Sequence, residues 1–332
     1  MAHDRIDVHT HLIRPFYAEQ LEPHGGDPSG WSYPGWSYPE WSPTQALSFM
    51  DDQEIAVAML SLTAPGIEGW RVGKERTEIA RRVNDYGASL VQQRPDRFGY
   101  FATPPLPDID SALKEIDRAY YRLKVDGVVL HSNYDGIYLA DPAFEPVWEE
   151  LNRRSAVVFI HSTTPKGVKV LPGVPGPLED YPAETTRAAL DLVIAGHLTR
   201  FSATKIILFH GGGFLPYAAT RFAELKSSLA FDRTAEELTA LMKSFYFDTA
   251  LSAPTGFPSL MAFAPRGHVV FGTDYPYASE PVSKSFTRNM DNYDEFETGE
   301  LDEINQGARS LFPRLSKQRK TQGPPECRTP AA

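Results

Sequence analysis

Two histidines two residues apart, His9 and His11, end the first strand-like run of the chain, Arg5-Ile6-Asp7-Val8. Residues i and i+2 of a β-strand point to one face. Both imidazoles therefore aim at a common point, as ligands of a shared metal ion must. An apolar run closed by a metal-competent or titratable residue recurs three times. His161 follows Val157-Val-Phe-Ile160, His210 follows Ile206-Ile-Leu-Phe209, and Asp274 follows Val269-Val-Phe-Gly-Thr273. One such histidine is usually incidental, whereas five residues on four strands form a constellation. Three imidazoles and a carboxylate suit zinc or another borderline divalent ion, with manganese and magnesium as alternatives. Such an ion keeps one position open, lowers the pKa of its water to about 7 and polarises substrate oxygens.

Strand-like runs are read near 5–9, 55–62, 98–102, 126–131, 156–161, 205–210, 244–249 and 268–273. Helix-patterned stretches lie between them, at 74–93, 108–123, 144–154, 182–199, 214–228, 234–243, 255–263 and 299–311. In Lys74 to Gln93, for example, Ile79, Ala80, Val83, Tyr86 and Leu90 recur at helical spacing. Eight strands alternating with helices predict an α/β protein, a (β/α)8 TIM barrel, whose catalytic residues sit at C-terminal strand ends. The competing fold is a doubly wound open sheet, but no Gly-x-Gly-x-x-Gly opens a first helix, and no organic cofactor is implied.

Residues 1–315 read as a single barrel domain. Residues 24–43 break its rhythm: Trp31-Ser-Tyr-Pro34, Trp36-Ser-Tyr-Pro39 and Trp41-Ser-Pro43 make a stiff aromatic loop after the first strand. That loop is placed over the barrel mouth or against a neighbouring subunit. A second loop rich in proline and glycine spans 163–181, and the polar segment 316–332 reads as a disordered tail.

Composition narrows the setting. Of 332 residues 42% are hydrophobic, enough for a large core, and no apolar run approaches the roughly 20 residues of a membrane span. The net charge of −10, with dispersed basic residues, argues against nucleic acid as a partner. A strand beginning at Arg5 leaves no room for a secretory signal. The lone cysteine, Cys327, gives neither a disulfide framework nor a cysteine metal site. Together these features predict a cytoplasmic protein.

Five segments in this order resemble the metal-dependent amidohydrolase superfamily, in the branch of ACMS decarboxylase and related aromatic-acid decarboxylases. They are Asp7-Val-His-Thr-His11, Val158-Phe-Ile-His161, Tyr181-Pro-Ala-Glu-Thr-Thr186, Phe209-His-Gly-Gly-Gly-Phe-Leu-Pro-Tyr217 and Phe271-Gly-Thr-Asp-Tyr-Pro276. Pro104-Pro-Leu-Pro107, Gly127-Val-Val-Leu130 and Asn133-Tyr-Asp-Gly-Ile-Tyr138 look closest to the 6-methylsalicylate decarboxylase subgroup of fungal polyketide pathways. The resemblance implies that His9, His11, His161 and Asp274 are metal ligands. His210 becomes the acid–base residue beside them, with Asp274 or metal-bound water as the other proton sources. It also implies a homodimer acting on a small aromatic acid. The family's two-metal members carry a carboxylated lysine on strand 4; here that strand ends in His131, which implies one metal and makes His131 a residue of the pocket wall. The arginine that holds a substrate carboxylate in the ACMS enzyme has no counterpart in Pro43 to Asp51, which favours a monocarboxylate.

The expected reaction is ring protonation of an ortho-hydroxybenzoate followed by loss of CO2, because direct cleavage would leave an aryl carbanion. Trp36, Asn133 and Tyr277 are expected around the ring. Metal-dependent hydrolysis of a lactone, ester or amide is the alternative, and a non-catalytic metal-binding barrel is a third reading.

Overall fold

The computed structural model describes residues 4–13, 15–21, 39–165, 168, 173–229 and 232–318. Trp36, most of the aromatic loop and residues 319–332 lie outside the described residues. Eight strands form one sheet in chain order: β1 (Arg5–His11), β2 (Ile55–Ser61), β3 (Phe98–Ala102), β4 (Gly127–His131), β5 (Val157–His161), β6 (Lys205–Leu208), β7 (Tyr246–Asp248) and β8 (Val269–Val270). Each is parallel to its neighbour. The sheet closes where the chain beyond β8 meets β1, through Val8 N–H to the Phe271 carbonyl at 2.9 Å and His11 N–H to the Tyr275 carbonyl at 2.8 Å. This is the predicted (β/α)8 barrel.

The pleat sorts the core into two shells. Val57, Met59, Phe101, Val129, Phe159, Ile207 and Val270 pack together inside the barrel. The alternate residues Ala58, Leu60, Val128, Leu130, Val158, Ile160 and Leu208 pack outward with the helices. Helix Lys74–Gln93 matches its prediction and buries Ile79, Ala80, Val83 and Leu90. The predicted helix 182–199 is two, Asp180–Ile194 and His197–Arg200, parted at Gly196 with φ +75. Helices at Pro15–Leu21, Pro43–Asp52 and Glu280–Asp291 went unread in the sequence, where each begins at or beside a proline. Proline is tolerated there, in the first helical turn. The last described helix, Pro313–Gln318, runs three residues into the segment expected to be a tail. Among the described residues no helix is long and apolar enough to cross a membrane.

β6 and β8 end sooner than predicted, ahead of His210 and Asp274, whereas β1 runs on to His11. β6 stops at Leu208, because His210 and Gly211 to Gly213 turn away with positive φ. At Gly213 an added Cβ would lie 2.1 Å from the Pro182 carbonyl oxygen, so the turn needs a residue without one.

Candidate metal centre

β1 carries an irregularity that decides the site. Asp7 pairs with Ala58 and Thr10 with Leu60, three residues on β1 against two on β2. This is a β-bulge, which re-aims side chains. It lets Val8 join the barrel interior, while His9 in the next position also turns inward, its ring 5.0 Å from Phe159. The buried Asp7 carboxylate holds the bulge. It accepts from His9 N–H at 3.0 Å, Thr273 N–H at 3.1 Å and Thr273 Oγ1 at 2.6 Å. Burial pushes the Asp7 carboxyl up to about 7 against the pull of these donors.

The predicted ligands converge. One donor atom from each of His9, His11, His161 and Asp274 lies within 4.8 Å of every other, and all four residues are buried. His9 Nε2 and His11 Nε2 are 3.1 Å apart, and Asp274 Oδ1 lies 3.3 Å and 3.1 Å from them. The outer nitrogens are all committed. His9 Nδ1 meets Asp248 Oδ2 at 2.8 Å, His161 Nδ1 donates to the Ser162 carbonyl at 2.8 Å, and His11 Nδ1 meets Ser61 Oγ at 3.1 Å. The Ser61 hydroxyl donates to the Thr10 carbonyl, so it accepts from His11. With Nδ1–H used outward, the His11 and His161 rings present an Nε2 lone pair to the centre, the tautomer that metal ligation needs, and His9 would present its own once a cation replaced the proton on its Nε2.

The charge balance agrees. Burial pulls against a His9 imidazolium, but Asp248 and Asp274 overcome it and push the ring up to about 10. Burial lowers His11 to about 4 and takes His161 well below the usual histidine range, aided by neighbouring histidines. Burial would raise Asp274, yet hydrogen bonds from His11, His210 and His9 hold it well below the carboxylate range. Two carboxylates and two neutral imidazoles thus draw one positive charge to His9. A divalent cation on the four inward donors answers the same demand, and the residues fit it.

His210 sits against this cluster with φ +49, a conformation uncommon outside glycine and concentrated at functional sites. Its ring stacks on His9 at 5.0 Å. Its Nε2 lies 3.4 Å from Asp274 Oδ2 and is otherwise buried without a hydrogen-bond partner. A small cavity beside the centre is lined by Thr63, Ala64, His161, Pro177, Tyr181, His210, Asp274 and Tyr277. Tyr277 meets His11 edge-on at 5.6 Å.

Asn133 does not reach this cavity. Its amide bonds Ser132 Oγ, the Thr163 carbonyl and Gly136 N–H, shaping the hairpin that follows β4. His131 ends β4 in register with His161, its ring edge-on to that of His161 with centroids 6.3 Å apart, and it is not among the residues lining the cavity. Trp36 falls outside the described residues, while Trp41 packs edge-on to Tyr86 at 6.5 Å.

Asp248 escaped the sequence reading, although it closes β7 as His161 closes β5. Its Oδ2 holds His9, and its Oδ1 accepts from His210 N–H at 3.0 Å and Ala250 N–H at 2.9 Å. One carboxylate therefore orients a ligand and fixes the turn that carries His210. Asp248→Asn is expected to weaken metal affinity about 10- to 100-fold, measured by competition with a chromogenic chelator; unchanged affinity would assign Asp248 to the fold alone.

A parallel barrel with three inward histidines and an aspartate at its C-terminal mouth defines a metal-dependent barrel enzyme scaffold. The chain belongs to the amidohydrolase family, whose sequence profile matches residues 6–313. It is 42% identical to the decarboxylase yanB of Aspergillus niger over 330 residues, covering 94% of this chain and 88% of that protein. It is 38% identical to the 6-methylsalicylic acid decarboxylase of Penicillium expansum, covering 94% and 97%. The crystal structure of an amidohydrolase II superposes with a TM-score of 0.83 at 30% identity, covering 93% of this chain and 99% of that one.

Proposed function

We propose that this chain is a non-oxidative decarboxylase of ortho-hydroxybenzoates, converting 6-methylsalicylate to m-cresol and CO2 in polyketide secondary metabolism. The observation that carries the reading is the intact cluster of His9, His11, His161 and Asp274 with His210 beside it. It stands in a chain similar to named decarboxylases over 94% of its length. We take the centre to hold one ion, zinc, since three imidazoles and one carboxylate suit it and β4 ends in His131 rather than lysine. Bound there, the ion would anchor and polarise the carboxylate and phenolic oxygens.

In this reading His210 moves the proton, with Asp274 as the other candidate. His210 lines the cavity with its Nε2 toward Asp274, and its backbone is locked by Asp248. A proton delivered to the ring carbon bearing the carboxylate breaks aromaticity. The C–C bond then cleaves, its electron pair restores the aromatic ring, and CO2 leaves. Ala64, Pro177, Tyr181 and Tyr277 wall the space and limit water. A homodimer in the cytoplasm completes the proposal, the latter in keeping with a single cysteine.

CO2 release from 6-methylsalicylate and a panel of salicylates, measured with elemental analysis of the purified protein, tests this. CO2 with one equivalent of metal is expected. Lactone turnover without CO2 from any hydroxybenzoate would replace it with the hydrolase reading.

A further inference from the structure

The space around the metal centre has two parts. The cavity beside the ligands is small, about 20 Å³, room for a single water-sized group. A second cavity, of about 560 Å³, opens next to it. His210 and Pro177 line both, so the two meet at the residue that carries the proton in the reading above.

The larger space exceeds what one ring needs. A dry cavity of roughly 150 Å³ holds a benzene ring, and pockets of roughly 300–1,000 Å³ take whole drug-sized molecules. In the hydroxybenzoate reading the carboxylate end belongs among the ligands, and the ring carbon that bears it stands beside His210. The ring then lies past His210, in the larger cavity, and leaves most of it unfilled. The phenolic oxygen on carbon 2 stays with the carboxylate. Carbon 6, the other neighbour of the reacting carbon, is thereby turned away from the ligands, and its substituent is directed into the unfilled part.

The lining specifies the chemistry of that substituent. Leu178, Phe214, Leu251, Leu260, Val282 and Phe286 supply apolar walls, and among the described residues that line the cavity none is Asp, Glu, Lys or Arg. The Ser252 hydroxyl already donates to the Ala250 carbonyl at 3.1 Å. A charged group would lose its water there with no counter-charge in return. Leu178 is 65% exposed, Phe214 45% and Val282 42%. Large apolar side chains left open around one cavity mark a binding surface, and a hydrocarbon laid against them removes them from water. A second copy of the chain could cover the same rim, but the continuity with the cavity at His210 favours the substrate itself.

We infer that this cavity is a chain-length subsite that takes an alkyl substituent longer than methyl on carbon 6, so that the substrates extend to 6-alkylsalicylates. This rests on the hydroxybenzoate reading above and adds the substrate class.

The experiment titrates m-cresol, 3-propylphenol and 3-pentylphenol by calorimetry and compares 6-methyl-, 6-propyl- and 6-pentylsalicylate by kcat/KM. The wild type is expected to bind each longer phenol more tightly, by about threefold per added methylene, with kcat/KM rising in parallel. Ser259→Trp fills the cavity, and Val282→Asp puts a charge on its wall. Val282 is exposed in the first turn of helix Glu280–Asp291, where an aspartate suits the helix. In both variants the gain with chain length should all but vanish. Affinity and kcat/KM that stay flat or fall with chain length in the wild type would overturn the subsite, as would a gain that both variants keep. An absent gain, with variants that split a dimer in analytical ultracentrifugation, would give the surface to a second copy. Binding separates the two readings. A chain-length gain among the phenols without CO2 from any acid would remove the decarboxylase and keep the subsite, whereas CO2 release without a gain would do the reverse.

Discussion

Asp274→Asn is expected to leave a folded protein with less than one equivalent of metal and a kcat lower by about 10²- to 10⁴-fold. The carboxylate is the one acidic donor of the cluster, and it lies 3.3 Å, 3.1 Å and 3.4 Å from nitrogens of His9, His11 and His210. An amide has the same shape but no charge to offset a divalent cation, and its NH2 end cannot ligate. The backbone has no reason to move, since residue 274 sits at φ +62, a conformation asparagine tolerates well. Elemental analysis and CO2 release on the same preparation check the result, with circular dichroism confirming the fold. Full metal content together with full activity would overturn the assignment of the centre.

The largest expected effect on stability comes from Gly213→Ala. The new Cβ would meet the Pro182 carbonyl oxygen at 2.1 Å, a contact to backbone with no flexible end to yield, at a φ of +63. Steric strain and left-handed backbone together are expected to cost about 1–3 kcal/mol, a fall of several degrees in thermal midpoint. Gly267→Ala is the control: its φ is +79 and nothing lies within 4 Å of the added Cβ. The difference between the two variants in a thermal melt isolates the clash. Gly213 follows the His210 turn directly, so kcat should fall as well for Gly213→Ala and hold for Gly267→Ala. Equal melting points would show that the loop around Pro182 gives way.

Much of the architecture was legible in the sequence because its signals are local. Apolar runs of barrel-strand length alternate with helical periodicity, and His161, His210 and Asp274 stand at the ends of such runs. A residue closing a parallel strand arrives at the same rim as every other strand's last residue, so the ligand set could be read before any coordinates. Asp248 was equally readable by that rule. The approach of Glu68 Oε1 to His131 Nδ1, at 3.6 Å, was not, because Glu68 lies in a loop 63 positions before His131 and no periodicity connects them.

The sequence by itself determined which residues meet at the mouth of the barrel. Strand direction and pleat are local properties of the chain, and they place His9 and His11 on one face wherever the strand goes. Only the tertiary structure decided which face that is. Straight alternation from Ile6 and Val8, both inside the barrel, would send His9 and His11 outward. The bulge between Asp7 and Thr10 shifts the phase by one residue and turns both rings inward. The bulge is held by an Asp7 carboxylate bonded to Thr273 on the far side of the closing seam. That contact spans 266 positions and exists only once β1 lies beside the end of β8.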